Sequence, residues 1–526
     1  MSDTVQGLLR ERAGDQRPAL KYDNRVWTWA EHLDEAARQA AALIGAADPD
    51  RPLHVGTLLG NTPAMLTAMA AAGLGGYVLC GINTTRRGAA LARDVATGDC
   101  QILLTDTAHR GLLDGVDLPG VRVYDVDSPS WAAVLAGAGD LTPHRTVAPT
   151  DTFMLIFTSG TSGEPKAVRM AHMMVPFSGA SLVQRFAITA EDVCYLSMPL
   201  FHSNALLAGW AVALTAGAAM APAAFTASRL LADVRRYGAT YLNYVGKPLA
   251  YVLATPERPD DSDNPLRVAF GNEAADRDIA EFGRRFGCTV WDGFGSTEGA
   301  VIITREDGCP PGSVGRGFPG VAIYDPETRT ERPPAVFDRT GALANPAEAI
   351  GEIVNTTGGG LFGGYYNDEQ ATGDRLRQGM YWSGDLAYRD ADGWIYLAGR
   401  SGDWLRVDGE NLACAPIERI LHRLGPVSRV AVYAVPDDLV GDAVMAALVL
   451  RDGAELTPAG FGEFLAAQPD LSPKAWPRHV WIAEDLPVTA TNKILKRELA
   501  AQGIDVTTGL LWTREGRSGV YRSLGR

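Results

Sequence analysis

Cysteine and positive charge are both scarce in this chain of 526 residues. The six cysteines are scattered, with no CxxC pair and no histidine cluster at metal-ligand spacing, which argues against a structural zinc site. Lysine and arginine number 48 against 62 aspartates and glutamates, giving a net charge of -14. No general basic field would therefore attract nucleic acid or an anionic membrane, and an anionic ligand must be bound by a local group of donors.

Little in the sequence indicates secretion or a membrane span. The first residues have no basic start followed by an apolar core, so we expect reduced thiols and a cytoplasmic location. The run 203–228 has no charged residue, but alanine dominates it and Gly209, Gly217 and Pro222 interrupt it. We expect a buried helix followed by a buried strand there. Peripheral membrane contact and a homodimer stay open.

The apolar pattern predicts an α/β fold. A helix over 29–43, a strand over 54–59 and a helix over 64–72 alternate as in layered parallel sheets. The Pro- and Gly-rich stretch 310–370 predicts a small β-barrel. A small, mobile α+β domain is expected at the C-terminus, with strands at 429–435, 443–450 and 480–483 and a helix near 460–467.

The most informative stretch reads TSGTSGEPK over 158–166, directly after an apolar run. Its glycines let the backbone approach a ligand, its hydroxyls are donors and its lysine carries a mobile charge, which suits a polyphosphate. We expect a strand, this loop and a helix over about 168–186. Glu164 and Pro165 separate the last glycine from the lysine, so this is not a Walker loop of an ordinary kinase or GTPase. The predicted phosphate-binding residues are Thr158, Ser159, Gly160, Thr161, Ser162, Gly163 and Lys166.

This loop resembles that of the adenylate-forming superfamily, which includes acyl-CoA synthetases, luciferases and adenylation domains of peptide synthetases. Segments 244–246 (YVG), 271–272 (GN) and 294–299 (FGSTEG) are similar, in order, to those of very-long-chain acyl-CoA synthetases, or fatty acid transport proteins. The resemblance implies a ligase that uses ATP, Mg²⁺ and CoA to convert a fatty or steroid side-chain carboxylic acid to its acyl-adenylate and then to acyl-CoA. An acyl-AMP ligase with another acceptor and a membrane lipid carrier are the alternatives.

Two carboxylates are candidates for direct contact with ATP. Glu298 follows a glycine turn and is a candidate Mg²⁺ ligand together with Thr158. Asp385 follows a glycine and can accept both ribose hydroxyls, the role that the resemblance implies. Adenine is expected to stack on Phe294, beside the 271–273 loop. The remaining predicted ATP-binding residues are Gly271, Asn272, Glu273, Asp292, Gly293, Gly295, Ser296, Thr297 and Arg400.

Glu273 departs from the resembled family, which has a second glycine at that position. Its carboxylate must reach solvent, a cation or the polar groups of the ligand, because burying it unpaired would be costly. The resemblance also implies a set of acyl-binding residues: His202, in a Pro-Leu-Phe-His segment and also a catalytic candidate, with Tyr244, Val245 and Gly246.

The resemblance further implies two domains, 1–401 and 402–526, that hinge at Gly402. Arg406 and Gly409 would contact CoA. The catalytic lysine is Lys493, preferred to Lys496 because the latter would fall on the following helix. Asn492 stands where most members of the superfamily have glycine, and asparagine tolerates the left-handed backbone better than most residues.

Overall fold

The structure, a computed structural model, describes residues 2–159, 165–339, 341, 343–400, 404–407, 410–437, 441–488, 494–514, 516 and 518–524. The chain forms two compact units. Unit 1 comprises Met1–Ala300 and Gly359–Gln378, and unit 2 comprises Val301–Gly358 and Gly379–Arg526. The predicted domain boundary at 401/402 stays a prediction.

The helices are α1 (Val5–Glu11), α2 (Trp29–Ala46), α3 (Pro63–Gly75), α4 (Gly88–Thr97), α5 (Pro129–Ala136), α6 (Met174–Phe186), α7 (Ala211–Ala216), α8 (Leu230–Tyr237), α9 (Lys247–Leu253), α10 (Asp276–Phe286), α11 (Pro346–Ala349), α12 (Glu369–Arg375), α13 (Cys414–Leu421), α14 (Pro458–Ala466) and α15 (Lys496–Gln502). Short 3₁₀ turns span Arg110–Leu113 and Pro473–Ala475, and a π-helical turn spans Ala205–Trp210.

The strands are β1 (Pro18–Tyr22), β2 (Arg25–Thr28), β3 (His54–Leu58), β4 (Val78–Gly81), β5 (Ile102–Thr105), β6 (Arg122–Asp125), β7 (Thr152–Ser159), β8 (Pro165–Ala171), β9 (Val193–Leu196), β10 (Ala219–Pro222), β11 (Tyr241–Val245), β12 (Val268–Asn272), β13 (Thr289–Gly295), β14 (Ile302–Thr304), β15 (Arg316–Gly317), β16 (Val321–Tyr324), β17 (Gly351–Asn355), β18 (Leu376–Arg377), β19 (Met380–Arg389), β20 (Ile395–Arg400), β21 (Trp404–Val407), β22 (Glu410–Ala413), β23 (Val427–Asp437), β24 (Gly441–Leu450), β25 (His479–Ala483), β26 (Leu510–Arg514) and β27 (Tyr521–Ser523).

Unit 1 contains two sheets built mainly from parallel strands. One has the order β13-β12-β11-β9-β10-β1-β2 and the other the order β6-β5-β3-β4-β7-β8. Only the β1–β2 and β7–β8 pairs in these two orders are antiparallel. The alternation of helices and parallel strands confirms the predicted layered α/β fold, because parallel neighbours require a crossover through a helix.

Helix α2 illustrates why the local sequence folds as it does. The Thr28 hydroxyl accepts a bond from the Glu31 amide at 3.1 Å, and the Glu31 carboxylate accepts one from the Thr28 amide at 2.8 Å. This capping box satisfies two amides that lack partners within the helix. Leu33, Ala36, Ala40 and Leu43 then bury one face of α2.

The helix predicted over about 168–186 is wrong in its first part. Residues 165–171 form β8, which pairs antiparallel with β7, and the helix begins only at Met174. The TSGTSGEPK stretch therefore begins at the end of β7 and ends at the start of β8, which pair as a hairpin. A short apolar run does not distinguish a strand from a buried helix by its period, and here pairing with β7 decides the outcome.

The uncharged run 203–228 forms the expected helical segment and strand. The π-helical turn and α7 lead into β10, whose residues are all buried. Among the residues described, no helix combines the length and the apolar character that crossing a membrane requires.

Unit 2 contains two further sheets. Strands β16, β17, β19 and β20 pair in that order, all antiparallel, as a half-barrel sheet. Strands β16 and β17 lie in the stretch 310–370 that was predicted to form a small barrel, and β19 and β20 follow it. The C-terminal sheet has the order β22-β21-β24-β25-β26-β27, with β23 also paired to β24. Helices α13 and α14 pack on one face and α15 on the other, which confirms the predicted α+β arrangement.

Candidate active site

The carboxyl ends of three neighbouring parallel strands form the centre of the candidate site in unit 1. Strands β11, β12 and β13 are in register, so that Val245 lies opposite Asn272, and Asn272 lies opposite Gly293. Ligands of open parallel sheets bind beyond the carboxyl ends of the strands. The three segments that carry the family resemblance are therefore brought to one edge.

Asn204 connects the histidine-bearing loop to this edge. Its amide nitrogen donates to the Tyr244 carbonyl at 3.1 Å and to Asn272 Oδ1 at 3.0 Å, and its oxygen accepts from Asn243 Nδ2 at 2.8 Å. Sequence reasoning missed Asn204. The one available signal was its position two residues after His202, because its partners lie far away in the chain.

His202 lies in this loop with one nitrogen unsatisfied. The side chain is half-buried, and its Nε2 atom, shielded from solvent, has no hydrogen-bond partner among the described residues. Burial lowers the pKa of His202 to about 4, so the imidazole is neutral at neutral pH. A neutral ring can donate to or accept from an uncharged or anionic ligand without bringing a second charge into the site.

The turn 296–299 brings Glu298 beside the histidine loop. The Gly299 amide donates to the Ser296 carbonyl at 3.0 Å, and the Thr297 hydroxyl lies 3.1 Å from the Ser203 hydroxyl. Gly299 has a φ of 67°, the left-handed region that glycine adopts without strain. Ser296 Oγ is buried without a partner among the described residues, so a second polar atom at this edge is left for a ligand.

Glu298 is held by a tyrosine that sequence reasoning missed. The Tyr365 hydroxyl donates to Glu298 Oε1 at 2.8 Å, and Lys166 Nζ lies 5.1 Å from the centre of the Tyr365 ring. Burial raises the pKa of Tyr365 above its ordinary value, the Glu298 carboxylate raises it further, and the positive charge of Arg375 opposes this shift. The tyrosine thus contacts both Lys166 of the β7–β8 hairpin and the Glu298 carboxylate.

Of the β7–β8 hairpin, the structure describes the two strands. Thr158 lies opposite Lys166 across the β7–β8 pair, and its hydroxyl is 3.5 Å from the Lys166 carbonyl. The predicted phosphate-binding residues Gly160, Thr161, Ser162 and Gly163 lie outside the described residues, as does the Ser159 side chain. Their roles stay predictions.

The backbone of Gly271 lies close to Tyr244 of the neighbouring strand β11. A Cβ at this position would lie 2.2 Å from the Tyr244 carbonyl oxygen and 2.6 Å from its ring. Tyr244 itself is in the core, 1% exposed, with its hydroxyl 3.0 Å from Asp292 Oδ2. Asp292 is also buried and accepts from the Ala274 amide at 3.0 Å. The side chains of Tyr244 and Asp292 therefore support the strand ends from within.

Glu273 is the residue at which the chain departs from the resembled family. Its φ is 65°, so a side chain with a Cβ occupies the left-handed region, and the residue is exposed. A glycine at this position would meet the backbone requirement without strain. The carboxylate reaches solvent, which is one of the fates expected from the sequence.

Glycine at position 273 is expected to give a free energy of unfolding ~0.5 kcal/mol higher than alanine at the same position. Relief of the left-handed strain, ~1–2 kcal/mol, exceeds the added entropy of an unfolded glycine, ~0.5–1 kcal/mol. Thermal unfolding of Glu273→Gly beside Glu273→Ala, which keeps the Cβ, measures the difference. A lower melting temperature for Glu273→Gly than for Glu273→Ala would contradict this explanation.

The predicted ribose ligand Asp385 lies on β19 of unit 2. Its amide donates to Ser383 Oγ at 3.0 Å, and its backbone lies opposite that of Arg400 on β20. These two predicted ATP-binding residues are thereby neighbours. The side chains of Arg400 and Arg406 lie outside the part of the protein that the structure describes.

The remaining predicted residues of the C-terminal region, Gly402, Gly409, Asn492 and Lys493, lie outside the described residues. Val488 and Ile494 pair as an isolated antiparallel bridge on either side of the segment that contains Lys493. Lys496 is the first residue of α15, as expected, and its Nζ is 2.8 Å from Glu418 Oε1. That ion pair gives Lys496 a structural partner.

The sequence matches known families over most of its length. Residues 10–366 match the family described as AMP-binding enzyme, and residues 416–493 match the AMP-binding enzyme C-terminal domain. The chain is 52% identical to the medium/long-chain-fatty-acid–CoA ligase FadD17 of Mycobacterium marinum, over 95% of this chain and 97% of the relative. It is 45% identical to the steroid-22-oyl-CoA synthetase of Rhodococcus jostii, over 95% and 91%.

The predicted likeness to fatty acid transport proteins is also found, at lower identity. The chain is 29% identical to long-chain fatty acid transport protein 5 of Mus musculus, over 84% of this chain and 68% of the relative. Among solved structures, ATP-bound MatB from Rhodopseudomonas palustris superposes with a TM-score of 0.84 at 23% identity, over 95% of this chain and 99% of that one. That structural likeness supports the fold.

Proposed function

Because the chain belongs to the AMP-binding enzyme family, we propose that it activates a medium- or long-chain fatty acid or a steroid side-chain carboxylate. It is an AMP-forming acyl-CoA synthetase that uses ATP, Mg²⁺ and CoA. The observation that carries the proposal for this site is the group at the strand ends: a carboxylate held by Tyr365, the Lys166 ammonium beside that ring, and His202 with an unsatisfied nitrogen.

The reaction has two steps that balance without a covalent enzyme intermediate. A carboxylate oxygen of the acid attacks the α-phosphorus of ATP, and the bond to pyrophosphate breaks, which gives acyl-AMP. The CoA sulfur then attacks the acyl carbon, its proton is lost, and AMP leaves with the bonding electrons. The first step brings two anions together, so fixed positive charge and donors must stabilise the transition state.

We assign these tasks to particular residues. Lys166 and the hairpin hydroxyls bind the outer phosphates, and Lys493 bridges the acid carboxylate and the α-phosphate. His202, neutral because of its burial, contacts the acyl end of the adenylate. Adenine stacks on the half-buried Phe294. Arg406 and Gly409 contact CoA.

The oxygen donors at the site suit Mg²⁺. Glu298 offers a carboxylate and Thr158 a hydroxyl, and no group of three or more His, Cys, Asp or Glu side chains gathers among the described residues to hold a metal. Mg²⁺ is commonly held by one or two carboxylates together with substrate phosphates and water. When bound, the ion would neutralise charge on the phosphate oxygens. Glu298 would hold it, and Thr158 would lie at its side.

The acid and the acceptor can be identified by one set of assays. Fatty acids of increasing length and a steroid with a carboxylated side chain would be supplied with ATP, and AMP formation and CoA consumption followed together. Equal rates of AMP formation and CoA consumption support the assignment as an acyl-CoA synthetase. AMP formed without CoA consumption would indicate an acyl-AMP ligase with another acceptor, and the absence of AMP would leave the lipid-carrier alternative.

Replacing Asp385 by alanine is expected to raise the KM for ATP about 10- to 100-fold. The ribose hydroxyls would lose a charged acceptor, and each such hydrogen bond contributes ~1.5–3 kcal/mol. Pyrophosphate release at varied ATP and varied acid measures the effect, and the KM for the acid should change little. Asp392→Ala, an exposed aspartate between β19 and β20, is the matched control. An equal increase in both KM values would point to a general distortion of the site instead of the loss of a ribose contact.

We further infer that the domain 402–526 rotates about Gly402 between the two steps. Such a rotation would exchange Lys493 for Gly409 at the reacting centre. Replacing Gly402 by proline and assaying each half-reaction separately tests this.

For the compartment we propose the cytoplasm, since all six cysteines are free thiols, and cell fractionation is the corresponding measurement.

A further inference from the structure

Tyr365 is buried and can adopt few orientations. It is 5% exposed, and its backbone forms an antiparallel bridge with Val168 of β8. On either side, the Arg169 amide donates to the Gly364 carbonyl at 3.1 Å, and the Tyr366 amide donates to the Ala167 carbonyl at 2.8 Å. The segment that carries Tyr365 is thereby attached to the strand that carries Lys166.

The next turn of chain fixes the tyrosine from its other side. The Tyr365 amide donates to Thr372 Oγ1 at 2.9 Å, and that hydroxyl donates to the Asp368 carbonyl at 2.8 Å. These contacts fix the backbone of Tyr365, and the hydrogen bond to Glu298 fixes the position of its hydroxyl. Because this side chain is already ordered, it can orient a partner with little further loss of conformational entropy when a ligand binds.

The direction of the hydrogen bond at the hydroxyl is determined by the carboxylate. A carboxylate can only accept, so the single phenolic proton of Tyr365 is directed to Glu298 Oε1, 2.8 Å away. Among the described residues Glu298 has no other hydrogen-bond or ion-pair partner, so its second oxygen remains for a ligand.

We propose that Tyr365 is a positioning residue that holds Oε1 of Glu298 and turns Oε2 toward the metal-nucleotide. This inference rests on the proposed role of Glu298 as the Mg²⁺ ligand. Hydrogen bonds to a ligating carboxylate fix its orientation, and their loss commonly weakens metal binding by roughly 10- to 100-fold. Because the Tyr365 segment pairs with β8, the position of the carboxylate is also coupled to the arm of the hairpin that carries Lys166.

The chain offers a matched control at the adjacent residue. The Tyr366 hydroxyl also donates to a carboxylate, Asp99 Oδ2, at 2.9 Å. Tyr365→Phe and Tyr366→Phe thus delete the same atom from neighbouring residues, and both keep the ring. Only the first of them touches Glu298.

The test measures metal binding as well as activity. Mn²⁺ binding in the presence of a non-hydrolysable ATP analogue would be followed by electron paramagnetic resonance, and pyrophosphate release would be followed as Mg²⁺ is varied. Tyr365→Phe should weaken Mn²⁺ binding 10- to 100-fold and raise the Mg²⁺ requirement equally. Tyr366→Phe should stay within about 2-fold of the parent enzyme, a band well below that range.

Glu298→Gln separates the inference from the function on which it rests. If Glu298→Gln weakens metal binding but Tyr365→Phe does not, or if Tyr365→Phe and Tyr366→Phe weaken it equally, the positioning role is wrong and the metal site stands. If Glu298→Gln has no effect on metal binding, the assignment of Glu298 fails, and the inference fails with it. In the Glu298→Gln background, Tyr365→Phe should add less than ~2-fold, because no ligating carboxylate remains to be oriented. If Tyr365 acted only through folding, the effects of Tyr365→Phe and Glu298→Gln would be additive.

Discussion

Replacing Lys493 by alanine is expected to lower the rate of acyl-adenylate formation by roughly 100-fold or more. The transition state joins an acid carboxylate to the α-phosphate, and removing one preorganised donor from such a site costs ~3–4 kcal/mol. Thioester formation from supplied acyl-adenylate should survive, since the two anions have already been joined. Pyrophosphate release and acyl-CoA production, measured separately on the same preparation, test both parts.

Lys496→Ala is the matched control for this lysine. Lys496 lies at the start of α15 and is paired with Glu418, so its loss should leave adenylate formation close to that of the parent. If Lys493→Ala slows both half-reactions equally, Lys493 has a structural role. If Lys496→Ala gives the selective loss of adenylation, Lys496 and not Lys493 is the catalytic lysine.

Replacing Gly271 by alanine is expected to cost at least ~3 kcal/mol of unfolding free energy in unit 1. The new methyl group would lie 2.2 Å from the Tyr244 carbonyl oxygen, which belongs to a strand paired on both sides. Overpacking in a core commonly costs ~1–3 kcal/mol, and here backbone would have to move. A fall of the melting temperature by roughly 5 °C or more, or loss of soluble protein, is the expected result.

Gly373→Ala provides the contrasting case. Gly373 lies inside α12, and a Cβ there would have no neighbour within 4 Å. Alanine is favoured over glycine in a helix by ~0.5–1 kcal/mol, so this variant should be slightly more stable than the parent. A melting temperature of Gly271→Ala close to that of the parent would contradict the register of Tyr244 with Gly271.

The structure adds a requirement for glycine at position 271 that the sequence did not reveal. From sequence, Gly271 was predicted to allow a nucleotide to approach the backbone. The structure shows that Tyr244 of the neighbouring strand occupies the space beside it. Composition can indicate that a glycine is required for close approach, but it does not say what approaches.

The sequence by itself predicted the features that depend on residue type and on neighbours close in the chain. They include the alternation of helices and strands, the C-terminal α+β sheet, and the family that the TSGTSGEPK stretch indicated. The placement of Lys496 on a helix was also predictable. These depend on periodicity, turn residues and side-chain chemistry within about ten residues, which the linear sequence displays directly.

Only the tertiary structure decided which side chains support the candidate ligands. Tyr365 meets Glu298 across 67 residues and Asn204 meets Asn272 across 68, and nothing local to any of the four marks the pairing. The same holds for β8, a strand because β7 pairs with it, and for Glu273, whose left-handed backbone follows from the junction of β12 with α10. Contacts between distant segments depend on how strands register and sheets pack, and a local pattern carries no information about either.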